Sequence, residues 1–196
     1  MGKLIVNEFM SLDGVAQAPG LEDEDRSGGF RHGGWHMQFM EDELAMEWTT
    51  RSILDAAGFL LGRRTYEIFA AYWPNAPEEE QVVAEPLNAK PKWVASKTLT
   101  EPLEWQGSSL LQGDLAQAVT TLKEQESGDV HVIGSTQLVQ ALIENDLVDQ
   151  YRLMIDPIAL GGGKRFFPED GALKPLQLVD SQVTEKGAIL ATLASG

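Results

Sequence analysis

Leu60-Leu61-Gly62-Arg63-Arg64-Thr65-Tyr66-Glu67 is the stretch of this 196-residue chain that decides the fold. Residues 58–61 form a short apolar run typical of a buried strand, and residues 64–72 have the pattern of a helix that ends before Pro74. Gly62 lets the backbone turn tightly and approach a neighbouring group closely. The stretch therefore predicts a strand that leads directly into a helix.

Strands and helices alternate on both sides of this unit. Strands are predicted at residues 3–9, 58–61, 92–95, 109–111, 130–133 and 150–155, and helices at 42–56, 64–72, 114–126 and 135–142. Residues 176–183 and 188–193 have the pattern of a terminal hairpin. The pattern predicts an α/β three-layer sandwich with a central, mostly parallel sheet, helices on both faces and a C-terminal antiparallel hairpin. No repeat or linker divides the chain, so we expect residues 1–196 to form a single domain.

Composition excludes several classes of protein. The chain has no cysteine, which excludes a disulfide framework, a thiol nucleophile and cysteine-ligated zinc. The N-terminus lacks the pattern of a signal peptide, and no apolar run approaches the ~20 residues that span a bilayer, so we expect a cytoplasmic protein without a membrane partner. The net charge of −15 repels nucleic acids, and it also repels a phosphorylated cofactor unless cations are concentrated where the phosphates bind. We expect a small molecule as the substrate. The positions of the few cationic side chains therefore carry information.

Gly62-Arg63-Arg64-Thr65 is a candidate phosphate site. The N-terminus of a helix offers unpaired N–H groups and the positive end of a dipole, and two arginines add forked donors and fixed charge. The alternative is a glycine turn with two surface arginines that pair with carboxylates of this acidic chain. The spacing alone favours neither interpretation.

Two further junctions have a similar character. Ser96-Lys97 follows the strand at 92–95 and could hold a ribose phosphate, or could be a solvent-facing turn. Gly134-Ser135-Thr136-Gln137 joins a strand to a helix, where Ser135 is either part of a ligand site or an ordinary N-cap. Ligands bind at the carboxyl ends of strands in open α/β sheets, and these ends meet at one edge. The three junctions therefore strengthen one another.

The segment from residue 20 to 40 combines glycines with Trp35 and Phe39. Such a loop could close over a flat ring and exclude water, or it could pack on the core or on a second subunit. Its acidic run at residues 22–25 is predicted to be solvated. His32 and His36 have the spacing of a zinc helix, but the glycines between them disfavour a helix, so no metal site is predicted.

Taken in order, these motifs resemble the dihydrofolate-reductase-like superfamily, specifically stand-alone proteins similar to the riboflavin-biosynthesis reductase domain. The matching segments are residues 10–14, 60–67, 94–97, 132–135 and 158–167, which span most of the chain. The stretch at residues 60–67 is the most specific of them. Where dihydrofolate reductases usually have a Gly-Gly pair, this chain has Gly134-Ser135.

The resemblance implies NADPH as cofactor and a homodimer as the assembly. It places the cofactor phosphates at Gly62, Arg63, Arg64 and Thr65, the 2′-phosphate near Ser96 and Lys97, the pyrophosphate at Gly134, Ser135, Thr136 and Gln137, and the nicotinamide beside Asp13 and Gly14.

The reaction implied is hydride transfer from NADPH to an electron-poor carbon of a flat heterocycle, pterin-like or riboflavin-precursor-like. Trp35 and Phe39 are the candidate substrate-binding residues, and Asp13, Asp42 or Glu43 the candidate proton relay. A carboxyl group in that role needs a raised pKa. Two alternatives stay open: a non-catalytic module that binds a nucleotide or pterin, and a structural oligomer subunit that binds no nucleotide.

Overall fold

A computed structural model describes residues 1–169 and 171–196, which fold around one eight-stranded sheet. The strands are β1 (Leu4–Ser11), β2 (Gly58–Gly62), β3 (Lys92–Ala95), β4 (Ser108–Leu110), β5 (Val130–Ile133), β6 (Gln150–Asp156), β7 (Leu176–Val183) and β8 (Ile189–Ser195). The helices are α1 (Met37–Met40), α2 (Glu43–Leu54), α3 (Arg63–Tyr72), α4 (Gln81–Ala89), α5 (Leu115–Gln125) and α6 (Thr136–Glu144).

The strand order is β4-β3-β2-β5-β1-β6-β8-β7. The six strands from β4 to β6 pair in parallel, and β8 joins β6 in antiparallel register. β7 completes the C-terminal hairpin and forms one edge of the sheet. The predicted α/β fold with a mostly parallel sheet and an antiparallel hairpin is thus confirmed. All six parallel strands end at the same edge.

Helices cover both faces of the sheet. One face packs against α5 and α6 through a cluster of buried aliphatic side chains that includes Leu60, Val132 and Leu142. The opposite face packs against α2, α3 and α4 through a second cluster that contains Phe59 and Leu61. Leu60 thus contacts one layer while its neighbours contact the other, as a strand buried on both sides requires.

The element boundaries differ from the predicted ones by small shifts, with two exceptions. Residues 81–89 form the helix α4, which is not among the helices predicted from the sequence. The short helix α1 lies inside the predicted loop. Asp114 caps α5, because its side chain accepts hydrogen bonds from the amides of Ala116 and Gln117. No helix in the described ranges combines the length and apolar character that crossing a membrane requires.

Candidate active site

The three predicted junctions meet at one edge of the sheet. β3, β2 and β5 are neighbours, so Gly62, Ala95 and Ile133 end adjacent parallel strands. A cleft of roughly 2280 Å³ opens at this edge, beyond the ~1,000 Å³ of a typical small-molecule pocket. Its lining includes all of the predicted cofactor-binding residues except Gly14, namely Gly62, Arg63, Arg64, Thr65, Ser96, Lys97, Gly134, Ser135, Thr136 and Gln137.

Ser135 joins two of these junctions. Its hydroxyl accepts a hydrogen bond from the amide of Gly62 at 2.9 Å and lies 2.9 Å from the hydroxyl of Thr65. It makes no capping bond to α6, so the interpretation as an ordinary N-cap is wrong. Ser135 has a left-handed backbone, with φ of 65°, which is costly for a residue with a Cβ. A Cβ added to Gly62 would lie 3.3 Å from Ser135, so only glycine fits there without displacement.

The cationic side chains of the cleft differ in their partners. Arg63 forms an ion pair with Glu67 one turn along α3, at 3.1 Å. Lys97 is exposed, and among residues 1–169 and 171–196 no carboxylate pairs with it. Arg64 pairs with Asp25. Both arginines therefore pair with carboxylates, as the interpretation of two surface arginines expected, but both also line the cleft.

Asp25 connects the loop after β1 to the cleft. Its carboxylate oxygens lie 2.5 Å from the guanidinium of Arg64 and 2.5 Å from the ammonium of Lys164. Burial alone would raise the pKa of Asp25, but its bonds to Lys164, Ser27 and Arg64 lower the pKa far below the ordinary range. Its side chain is only 10% exposed, so the prediction that the acidic run is solvated is wrong at Asp25. The carboxylate occupies the donors that a phosphate would use.

Asp13 and Gly14 form a turn beside the cleft rather than part of its lining. Asp13 accepts hydrogen bonds from the hydroxyl of Ser11 at 2.7 Å and from the amides of Leu160 and Gly161 at 3.0 and 2.8 Å. The bond from Ser11 and these amides hold the pKa of Asp13 at about 2. Such a carboxylate stays ionised and ties two loops together. Gly14 adopts a left-handed φ of 84°.

Asp42 and Glu43 also lie outside the cleft. Asp42 caps α2, where it accepts hydrogen bonds from the amides of Leu44 and Ala45, and its second oxygen faces the amide of Lys186. Desolvation opposes its ionisation, but the bonds from Ala45 and Lys186 outweigh it, and the pKa of Asp42 is lowered. Glu43 is exposed in the first turn of the same helix. This placement favours none of Asp13, Asp42 and Glu43 as a proton relay.

Trp35 and Phe39 belong to the core. Trp35 packs among Val15, Ala18 and Phe30, and its indole N–H donates to the carbonyl of Gln17 at 2.8 Å. Phe39 packs in the apolar cluster under α1 and α2. The alternative that this loop packs on the core therefore describes both residues. The apolar lining of the cleft comes from other side chains: Met37, Met40, Met46, Trp48, Ile53, Ile68, Phe69, Tyr72, Trp73, Val82, Val83 and Leu87.

Glu8 and His36 are buried polar residues of the cleft for which the sequence predicted no role. Glu8 interrupts the apolar pattern of β1 and is 4% exposed. His36 is 1% exposed, bonds to Asp156 through Nδ1 at 2.7 Å and stacks on Phe9 with ring centroids 3.7 Å apart. A carboxylate in the middle of a mostly apolar strand was the available signal for Glu8. The partner of His36 lies 120 residues away, so no local pattern could indicate it.

The described part of the chain holds no group of three or more His, Cys, Asp or Glu side chains that could bind a metal ion. The buried pair of His36 and Asp156 has no third such neighbour within that part. The groups of the cleft that can bind a ligand are its cationic side chains, hydroxyl groups, backbone amides and buried acids.

The sheet and its cleft define an α/β protein with a mostly parallel sheet and a ligand-sized cleft at the carboxyl ends of its strands. The chain belongs to the RibD C-terminal domain family, whose model matches residues 2–190. This membership gives the chain a reductase-like role and confirms the resemblance inferred from the motifs.

Relatives and solved structures agree with this assignment. The chain is 27% identical over 132 residues to the uncharacterized protein YyaP of Bacillus subtilis strain 168. This alignment covers 66% of this chain and 69% of that protein. A putative riboflavin biosynthesis protein from Shewanella sp. PV-4 has a similar structure, with a TM-score of 0.69, 20% identity and 99% of each chain covered. A pyrimidine reductase-like protein from Corynebacterium diphtheriae also has a similar structure, with a TM-score of 0.67 and 13% sequence identity. The match covers 100% of this chain and 92% of that one. At these identities the two structures show the fold alone.

Proposed function

We propose that the protein is an NADPH-dependent oxidoreductase that transfers a hydride to a flat, pterin-like or riboflavin-precursor-like heterocycle. One observation carries the proposal: the junctions that bear Arg63 and Arg64, Lys97, and Gly134 line a single cleft. In a chain of net charge −15, cations gathered at one sheet edge favour an anionic ligand there.

The residues of the cleft fit a dinucleotide. The N-termini of α3 and α6, linked by Ser135, offer backbone N–H groups without intrahelical partners to a pyrophosphate. Thr65 and Thr136 add hydroxyl groups, and Arg63 and Arg64 add forked, charged donors. When bound, a reduced nicotinamide supplies a hydride with its electron pair. The protein binds the phosphates, orients the ring and keeps water out of the cleft.

The preference for NADPH over NADH rests on Lys97. This exposed side chain follows β3, next to Ser96, whose hydroxyl accepts hydrogen bonds from the amides of Thr98 and Leu99 at 3.2 and 3.0 Å. The turn thus holds its shape while the ammonium group stays available. A 2′-phosphate placed beside it gains an ion pair that the uncharged 2′-hydroxyl of NADH cannot provide.

The other half of the cleft favours an uncharged substrate. Methionine and aromatic side chains from α1, α2 and α3 line it, and they suit a flat ring. The carboxylates Glu41, Glu79 and Glu80 also line the cleft. They disfavour a phosphorylated substrate, so we expect an unphosphorylated heterocycle with a reducible C=N or C=O bond.

The proposal is tested by NADPH oxidation across a panel of pterins, flavin precursors and quinonoid compounds, each with and without a phosphate group. We expect oxidation with an unphosphorylated member of the panel. Binding of NADPH without oxidation by any compound would instead favour the non-catalytic module. Absence of nucleotide binding would favour a structural subunit.

A further inference from the structure

Glu8 is a buried acid with a free oxygen. Its side chain is 4% exposed, and Oε1 accepts one long hydrogen bond from the amide of Phe9, at 3.3 Å. Oε2 has no hydrogen-bond partner among the described residues. A buried polar atom without a partner is destabilising, so it calls for an explanation such as an ordered water, a bound ligand or a catalytic role.

The sheet places Glu8 where the cofactor and substrate halves of the cleft meet. β1 pairs with β5 up to Asn7 and Ile133, so the next residues along the two strands are Glu8 and Gly134. On its other side β1 continues, with Glu8 opposite Leu153 of β6. Glu8 therefore lies beside the turn assigned to the pyrophosphate, and it lines the same cleft.

We propose that Glu8 is the catalytic acid of the reduction, donating the proton from its carboxyl group to the substrate heteroatom. This inference rests on the proposed function. The carbon of the C=N or C=O bond receives the hydride from the reduced nicotinamide, and the π electrons form a bond from the heteroatom to the proton of Glu8. Glu8 is left as a carboxylate, and a proton from solvent then restores its carboxylic acid form.

The surroundings of Glu8 favour its protonated form. Burial raises its pKa to about 8, against a smaller lowering by the amide of Phe9, and the charge of Glu24 adds to the rise. The other charged groups of the cleft near the loop are Asp25, Arg64 and Lys164, which form ion pairs with one another. At pH 7 the acid therefore holds a proton that it can give.

His36 is the competing donor. Its Nε2 is buried without a partner, and its ring also lines the cleft. Asp156 and the stacked Phe9 hold this ring in place, which suits a positioning role as well as an acid. The experiments must therefore separate the two residues.

The first experiment needs neither nucleotide nor substrate. Infrared difference spectra between pH 6 and pH 10 are recorded for wild type, Glu8→Gln and the control Glu47→Gln, which removes an exposed carboxylate on α2. We expect a protonated-carboxyl band that wild type and the control lose as the pH passes about 8, and that Glu8→Gln lacks. Identical spectra for wild type and Glu8→Gln would overturn the proposal.

The second experiment separates binding from chemistry, with NADPH affinity by calorimetry and single-turnover oxidation across pH. We expect Glu8→Gln to keep the affinity for NADPH, to lose about 10²–10⁴-fold in rate and to lose the decline of the rate above pH 8. Glu8→Asp should recover part of the rate and shows whether the site still folds. An unchanged rate in Glu8→Gln, or a loss only in His36→Gln, would overturn the role of Glu8 and leave the proposed function standing. If wild type itself does not bind NADPH, the proposed function is wrong.

Discussion

One hydroxyl group holds the N-termini of two helices together at the candidate site. Ser135 accepts from the amide of Gly62 and contacts the hydroxyl of Thr65, while its own backbone stays in a left-handed conformation. Strain of this kind persists where surrounding contacts enforce it, and it concentrates at functional sites. The sequence analysis identified Ser135 as a junction residue, but φ and the partner at Gly62 depend on tertiary contacts that no local pattern contains.

We expect Ser135→Ala to destabilise the protein by about 1–3 kcal/mol, because the amide of Gly62 loses its acceptor while the strain remains. Ser135→Gly should be less harmful by about 1 kcal/mol, because glycine relieves the left-handed strain. Denaturant unfolding of both variants measures the difference. Equal stability of wild type and Ser135→Ala would contradict the bridging role.

The pH dependence of stability provides a second test at the residue scale. The pKa of Glu8 is about 8 in the folded chain against an ordinary 4.5, so its stabilising contribution is complete below 4.5 and is lost as the pH rises through 8. His131, whose pKa burial lowers to about 4, acts in the opposite direction between 4 and 6.5. We therefore expect the Tm of wild type minus that of Glu8→Gln to fall from pH 5 to pH 8. A constant difference would contradict the raised pKa.

At the scale of elements, the loop between β1 and α1 bears directly on the cleft. Through Asp25 it contacts Arg64 of α3 and Lys164 of the segment after β6. The strand–helix junctions were predictable because each is a short local pattern of an apolar run, a glycine or serine, and a helix. The path of the loop was not predictable, because Phe39 packs against the distant residues Met154 and Leu190 and Asp25 pairs with two distant cations.

Asp25 competes with a phosphate for Arg64 and Lys164. We expect Asp25→Asn to bind NADPH several-fold more tightly, because the change frees both cations and removes a negative charge. Asp23→Asn, on the same loop but exposed and away from the cleft lining, is the control. Calorimetry of both variants decides the matter. Weaker binding by Asp25→Asn alone would show that the carboxylate positions the cations instead.

At the scale of the whole molecule, the hairpin exposes an apolar face. β7 is exposed along most of its length, and its register with β8 places Leu178, Val183 and Ile189 on the face that α5 and α6 cover elsewhere. Their exposures of 58%, 65% and 40% are large for apolar side chains. We propose that a second copy of the chain covers this face. We also propose that residues 1–196 form one domain, because one sheet runs through the fold.

Sedimentation tests the homodimer directly. We expect a dimer for wild type and a monomer for Leu178→Lys/Val183→Lys, because two buried ammonium groups would oppose association. Gln177→Lys lies on the same strand but on the opposite face, so it should leave the dimer intact. A monomeric wild type would contradict the proposal. The sequence predicted a mostly parallel sheet with a terminal hairpin, but not the order of its strands. That order depends on pairing between segments that are distant in the chain.

The proposed function requires that one cleft binds NADPH through the cations at the ends of two strands, Arg63 and Arg64 after β2 and Lys97 after β3, together with the turn at Gly134 after β5. Calorimetric titration with NADPH and NADH tests it most directly, on wild type, Arg63→Ala/Arg64→Ala/Lys97→Ala and a control that removes the same charge elsewhere, Lys3→Ala/Arg51→Ala/Lys174→Ala. We expect preferential NADPH binding by wild type and the control, and a loss of about 10²-fold or more in the cleft variant. Absence of binding to wild type, or equal binding by all three proteins, would contradict it.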